Sequence, residues 1–287
     1  AIVIRYPETD DISGTVFIDH SEIGPRHFTS KDHSEPLYVP IYASSDSLIQ
    51  IALHQEVIPQ SKIEAIGQEV RRLLTERGYR IARVIMRPFT GKPGNFKRVS
   101  PDRRDYGVDP DSETVIDQLV RADVPVHGIG KAVAMFNQRG FVQGRSRKLG
   151  SDQDRIGAVR DFFSSSEGGL LLANLVDTDE AFGHRRDAKG YIGHINGISR
   201  VVEEVMSAMG TRDLLMITSD HGNDPTHMSH TNHTRELVPL LVGGPAIQRP
   251  IALGIRLTFA DVAETIGEIF ELSDRPPVGK SFLQELS

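Results

Sequence analysis

The sequence predicts an α/β fold built on a mostly parallel sheet, and three observations predict it. After Ser112, short apolar runs of strand length alternate with segments of helical periodicity. The runs are apolar throughout rather than alternating, which suits strands covered on both faces. Two of them pass directly into clusters of His and Asp, where ligands of open α/β sheets bind, beyond the carboxyl ends of the strands. A length of 287 residues fits two domains, on a prior of roughly 150 residues each.

Taken in order, residues 1–60 are polar and rich in turn formers. Ser61 is placed to cap a helix running to Arg77, with Ile63, Ile66, Val70, Leu73 and Leu74 as its apolar stripe and Gly78 ending it. RIARVIMR (Arg80–Arg87) reads as a strand, and Gly91–Ser112 as a long basic loop of a kind that is usually functional or disordered. TVIDQLVRA (114–122) is helical in pattern, and VPVHGIG (124–130) and GLLLANLV (169–176) read as buried strands. A helix follows with Tyr191, Ile195, Ile198, Val202, Val205 and Met209 on one face, closed by Gly210. LLMIT (214–218) and VPLLVGG (238–244) are further strands, and Thr258 with Asp261 forms a capping-box pattern for a helix carrying Val262, Ile266 and Ile269. The domain boundary is expected between 108 and 114, giving domains 1–112 and 113–287.

Composition narrows the chemistry. The 38 % hydrophobic and 25 % charged content is that of an ordinary globular chain. No apolar run approaches the roughly 18 residues of a membrane span, and the opening AIVIRYPETDD lacks the basic and apolar regions of a signal peptide. With no cysteine, disulfides, thiolate metal sites and a cysteine nucleophile are excluded, and a cytoplasmic setting fits. A net charge of −6 argues against broad nucleic-acid affinity. An anionic substrate must therefore meet local positive charge.

The ligand-rich segments carry the functional reading. GLLLANLV runs into DTDEAFGHRRD, with Asp177, Asp179 and His184; LLMIT runs into SDHGNDPTHMSHTNHTRE, with Asp220, His221 and His233. An isolated histidine is more often solvated than ligating, and His227 and His230 can be ordinary turn residues. Jointly, however, six of the eleven histidines fall between 184 and 233. Carboxylate with imidazole and no thiolate suits Mn²⁺, Zn²⁺ or Fe²⁺ better than Ca²⁺, and such a set can support a two-ion clamp on an in-line transfer. Arg87, Arg98, Arg103 and Arg104 are either solvated charges or a phosphate-binding group, for which the planar guanidinium is well shaped. Lys131 follows a strand beside two glycines, and Asp46 in YASSDS is either a helix cap or a sugar contact.

Together, NLVDTDEAFGHRRD, TSDHGNDPTHMSHTNHTRELVPLLVGG, MRPFTGKPGNFKR with DRRDY, YASSDSLIQIALHQE and VGKSF resemble the phosphopentomutase family of the alkaline-phosphatase superfamily of metalloenzymes. The likeness covers nearly all of the chain in the family's order. It implies an alkaline-phosphatase-like core with helices on both faces of the sheet (113–287) and a smaller α/β cap domain (1–112). It implies an isomerase that interconverts ribose or deoxyribose 1-phosphate and 5-phosphate with two Mn²⁺ ions. A phosphorylated Thr passes its phosphoryl group to the sugar phosphate, and the bisphosphate returns the other.

By motif position, Asp220 and His221 match ligands of one ion, and Asp179, His184 and His233 those of the other. Asp46, Arg87, Arg103 and Lys131 match positions that hold the pentose phosphate. The family's core also opens with a segment carrying a further metal-binding Asp and the nucleophilic Thr, neither of which can be assigned here. The resemblance therefore implies that the sequence begins inside the cap, that apolar core surface is exposed, and that this chain alone is inactive. Three departures stand out: one extra residue before His233 with Asn232 at a frequent Asp position, one extra residue between Arg98 and Arg103, and Arg104 at a common His position. Two other readings remain open: a related metal-dependent phosphohydrolase or phosphoglycerate mutase, and a non-catalytic metal-binding fragment.

Overall fold

A computed structural model describes residues 2–4, 16–18, 39–44, 47–142, 150–165, 168–247, 249–273 and 278–286. The chain divides into two compact units, Ala1–Asp109 and Pro110–Ser287. The α/β class holds in both, with parallel and antiparallel pairings mixed.

In the first unit β1 (Ile2–Ile4) pairs antiparallel with β2 (Val16–Ile18). A separate sheet places β3 (Ile41–Ser44) antiparallel to β4 (Leu48–His54), and β4 parallel to β5 (Arg83–Lys92). Parallel neighbours need a crossover, and α1 (Gln60–Glu76) supplies it. Its Ile63, Ile66 and Val70 are buried against Ile51, Leu53, Val84 and Met86 of the sheet, so the apolar stripe read from the sequence is the packed face. The helix begins two residues earlier than expected: Pro59 is the cap residue and Ser61 lies inside the first turn without capping it. Pro at this point has a preset φ and no N–H to leave unsatisfied.

The segment from Gly91 onward is not a loop. Beyond Arg87, β5 continues to Lys92 and turns through Pro93-Gly94 into β6 (Asn95–Arg98). The left-handed backbone of Gly94, at φ 82°, is what such a tight reversal requires. A short 3₁₀ turn (Ser100–Asp102) leads to β7 (Arg104–Gly107), which pairs antiparallel with the first half of β5. The charged residues that read as loop belong to edge strands, exposed in β6 and partly buried in β7. Close approach of α1 to β7 depends on Gly67, where an added Cβ would lie 2.2 Å from the Tyr106 ring.

In the second unit α2 (Val115–Arg121) starts at a reciprocal capping box between Thr114 and Asp117. Next come β8 (Val126–Ile129), the short α3 (Ala132–Met135), α4 (Asp152–Phe163), and β9 (Leu170–Ala173), which lies parallel to β8. Ile116, Leu119, Val126, Phe141 and Leu272 form the core, with Leu170, Leu172 and Ile266 packed on it. β9 leads through a π-helical turn (Thr178–Gly183) to α5 (Ala188–Ala208). β10 (Leu215–Thr218) and β11 (Leu240–Gly243) pair antiparallel, and α6 (Ala260–Ile269) follows. Thr258 and Asp261 do not build the expected box. Asp261 accepts instead from the Lys280 amide at 2.8 Å, tying the C-terminal segment to α6. No described helix is long and apolar enough to cross a membrane.

Candidate metal centre

The centre is assembled by two chain segments. The π-helical turn after β9 carries Asp179 and ends at His184; turns of this kind are rare and frequent at functional sites. The loop between β10 and β11 carries Asp220, His221 and His233. β9 is laddered to β8 and β10 to β11, so the two segments meet through their loops. A single bridge between Gly222 and Thr234 folds the histidine loop back on itself, with the Asp224 amide donating to Thr234 Oγ1 at 2.7 Å.

Asp179, His184 and His233 converge, each offering a ligand atom within 4.8 Å of the others. His184 Nε2 lies 3.3 Å from one Asp179 oxygen and His233 Nε2 lies 3.6 Å from the other. His184 Nδ1 is 2.6 Å from the Thr231 carbonyl oxygen. Since a carbonyl only accepts, Nδ1 is the donor of that bond, and Nε2 is the nitrogen turned toward Asp179. That is the arrangement by which proteins orient imidazole ligands. Asn223 Nδ2 donates to Asp179 Oδ1 at 2.5 Å and fixes the carboxylate. All three ligand candidates are partly buried. One carboxylate and two imidazoles converging on a common point fit a divalent cation of borderline hardness.

Asp220 and His221 adjoin this set. The His221 ring stacks on His233 with centroids 3.5 Å apart, and His221 Nε2 is 3.5 Å from Asp220 Oδ2. Its Nδ1 faces the Gly222 carbonyl oxygen at 3.2 Å, which leaves Nε2 as the nitrogen turned toward Asp220. Among the described residues Asp220 and His221 join no group of three candidate ligands. Asp177, which sits in the same sequence cluster as Asp179, turns away and accepts from the Asp152 amide at 3.0 Å.

The other expected site residues are placed as follows. Lys131 precedes α3 and its ammonium pairs with Glu180, the neighbour of Asp179. In the first unit Arg87 is partly buried and donates to Gln50. Burial lowers its pKa, and the nearby Arg103 and Arg98 add to that effect. Arg103 is gripped by both Asp105 oxygens at 2.6 Å. Arg104 pairs with Glu64 at 2.9 Å. Asp46 lies outside the described residues. His227 and His230 pack at a tilt, with ring planes 52° apart, in the exposed part of the loop, and Ser229 bonds His227 at 2.6 Å; neither belongs to the ligand group.

Sequence reasoning missed Arg186 and Asn223. The Arg186 guanidinium donates to the carbonyls of Gly183, Asp224 and Asn232 at 2.9–3.0 Å, to that of His230, and to Asn223 Oδ1 at 2.9 Å. It thereby sets the histidine loop against the π-helical turn. Its own backbone is left-handed, at φ 57°, a conformation uncommon for a non-glycine residue. The adjacent arginines of HRRD give no hint of this, because a guanidinium that binds main-chain carbonyls needs no complementary side chain.

Comparisons with known proteins give the family of the chain. Residues 120–274 match the model of the Metalloenzyme superfamily. The phosphopentomutase of Carboxydothermus hydrogenoformans is 42 % identical over 274 residues, which span 96 % of this chain and 67 % of the relative. Those of Alkaliphilus metalliredigens and Alkaliphilus oremlandii are 38 % and 37 % identical, each over 91 % of this chain and 64 % and 63 % of their own length. The chain thus spans about two thirds of the length of the curated relatives it matches.

Proposed function

This chain belongs to the phosphopentomutase family of the metalloenzyme superfamily, and from that premise we propose that it takes part in interconverting (deoxy)ribose 1-phosphate and (deoxy)ribose 5-phosphate. The observation that carries the reading is the convergence of Asp179, His184 and His233. In this reading these three hold one Mn²⁺ ion, and Asp220 with His221 supplies two ligands of a second. Bound there, the ions supply positive charge to the oxygens of a phosphoryl group in transfer. The chain's own residues do the rest. Thr231 and Asn223 keep the His184 imidazole and the Asp179 carboxylate turned inward.

Arg87, Arg103, Lys131 and Asp46 are assigned to the pentose phosphate. Arg87 is weakly hydrated where it sits, which favours exchange of its solvent for phosphate oxygen. Asp105 holds the Arg103 fork in a fixed plane. Lys131 exchanges Glu180 for the phosphate when substrate arrives. In the reaction a phosphothreonine phosphorus–oxygen bond breaks as the free sugar hydroxyl bonds to phosphorus and gives up its proton. The resulting bisphosphate then passes its other phosphoryl group back to the threonine oxygen.

The residues 1–287 by themselves are expected to turn over little, because the Asp220–His221 pair gathers no third His, Asp or Glu among the described residues and two-metal transfer rests on positioning. The reading places the protein in the cytoplasm, with pentose phosphate rather than nucleic acid or membrane as its partner. Two measurements test it. Titration of the chain with Mn²⁺ should show saturable binding that His184→Ala abolishes. Conversion of ribose 1-phosphate should be near background for the chain alone; full mutase turnover would contradict the two-ligand account of the second ion.

A further inference from the structure

Among the described residues, the second unit holds one other group of convergent carboxylates and imidazole outside the metal centre. Asp152, Asp177 and His194 offer ligand atoms within 4.8 Å of one another. Asp152 is the first residue of α4 and is 0 % exposed. On composition the group looks like a further cation site, but its hydrogen bonds say otherwise. Asp152 Oδ1 accepts from the Arg155 guanidinium at 2.6 Å and from the Val176 amide at 2.7 Å. Oδ2 accepts from the Asp177 amide at 2.9 Å, and His194 Nε2 lies 3.0 Å away. About four acceptor positions exist on a carboxylate, and four donors fill them. Arg155 also stands 3.7 Å from Asp177 Oδ1, so a fixed positive charge already occupies the place a cation would take.

What this carboxylate holds is the entrance to the ligand turn. It binds the Val176 and Asp177 amides, and the Asp177 side chain returns a bond to the Asp152 amide at 3.0 Å. The Val176 carbonyl accepts from the Asp179 and Glu180 amides at 3.2 and 2.9 Å, and the Asp179 carbonyl accepts from the His184 amide at 2.9 Å. An unbroken series of hydrogen bonds therefore leads from Asp152 to the backbones of two metal-ligand candidates. The neighbouring strand cannot do this work, since β9 ends at Ala173. Burial by itself pushes the Asp152 pKa up, but the donors from Val176, His194, Arg155 and Asp177 outweigh it and leave the pKa below the ordinary carboxylate value. The anchor is an ionised group at neutral pH.

We propose that Asp152 is a positioning residue for the Asp179–His184 turn, joining α4, the end of β9 and α5 through His194, and is not a ligand of a further cation. The inference rests on the metal reading of Asp179, His184 and His233. Asp152→Asn preserves shape but places an amide N–H against one of the backbone donors. His194→Gln is the milder second variant and leaves both backbone bonds in place.

The test is titration of the whole chain with Co²⁺, followed by visible absorption, together with amide hydrogen exchange. Asp152→Asn should weaken Co²⁺ binding by about 10- to 100-fold, as expected for residues that orient ligands, and shift the ligand-field bands. It should speed exchange at Asp179, Glu180 and His184 and leave the β8 amides of Val126–Ile129 unchanged. His194→Gln should move the same quantities in the same direction by less. Unchanged Co²⁺ affinity and bands in Asp152→Asn would overturn the inference, as would loss of one Co²⁺ equivalent with the remaining bands intact. Absence of Co²⁺ binding by the unsubstituted chain would overturn the metal reading itself, and the positioning role with it.

Discussion

The two units use similar strands in opposite ways. In the first, β4 is buried along most of its length and β5 is buried through Val84, Ile85 and Met86, with Ile51, Val84 and Met86 fully enclosed beneath α1. In the second, β8 is buried throughout, but β9, β10 and β11, which lead to the ligand-bearing loops or away from them, are just as apolar in sequence and none of their residues is fully buried. Leu241 of β11 is 60 % exposed, and on α5 Ile192 is 61 % exposed while only Val205 is buried. Apolar packing, worth about 25 cal/mol per Å² removed from water, therefore fixes the first unit. The ligand-bearing loops of the second are fixed chiefly by hydrogen bonds that Arg186 and Asn223 donate and that the Thr231 carbonyl and the Asp152 carboxylate accept. The difference separates what stabilises the protein from what arranges its chemistry, and that separation can be broken experimentally.

The largest effect is expected at the metal centre. His233→Ala removes a ligand candidate that also stacks on His221, and saturable Mn²⁺ binding should be lost while denaturant stability of the metal-free chain stays nearly unchanged. A large fall in metal-free stability would show that the loop does structural work after all. Next comes the first unit's core. Met86→Ala, at a fully enclosed position, should cost about 2–5 kcal/mol in urea unfolding without altering Mn²⁺ affinity. Leu241→Ala in the second unit should stay within about 0.5 kcal/mol. Equal costs at the two positions would remove the contrast between the units.

How much of this was legible in the sequence follows the same division. The α1 stripe, the Thr114 helix start and the strand before each ligand cluster were readable, because periodicity and turn chemistry are local. The convergence of Asp179 with His184 and His233 followed from motif and strand-end placement, although β9 and β10 are not laddered neighbours. The strands β6 and β7 within 91–107, each paired with β5, were hidden because they are charged edge strands whose residues read as loop. The half-buried helix α5 reads from sequence as a packed amphipathic helix, since periodicity reports an apolar face and not what covers it. Arg186 and Asp152 were invisible for a related reason. Both act on main-chain groups, which every residue possesses, so no side-chain pattern marks them.

Smaller effects sharpen the comparison. Arg186→Lys keeps the charge but cannot reproduce a planar fork that reaches four carbonyls and an amide oxygen. Mn²⁺ affinity should fall by about 10- to 100-fold, with isothermal titration as the measure. Retained affinity would mean that the Gly222–Thr234 bridge alone sets the loop.

A modest effect is expected at the α2 cap, where a charged group serves stability within the second unit. Asp117 accepts from the Thr114 amide and hydroxyl and from Arg139 at 2.6–2.9 Å. Burial pushes its pKa up, but these donors outweigh it and hold the value below the ordinary 3.8. A carboxylate whose folded pKa is depressed contributes stability that is fully present above the unfolded value and lost as pH falls through the folded one. Asp117→Asn should therefore cost about 1 kcal/mol near neutral pH, the usual worth of a helix cap. That difference should shrink once pH drops below 3.8. Urea unfolding of the two proteins across that range is the check. A difference that persists unchanged in acid would mean that the shape of the cap, rather than its charge, stabilises α2.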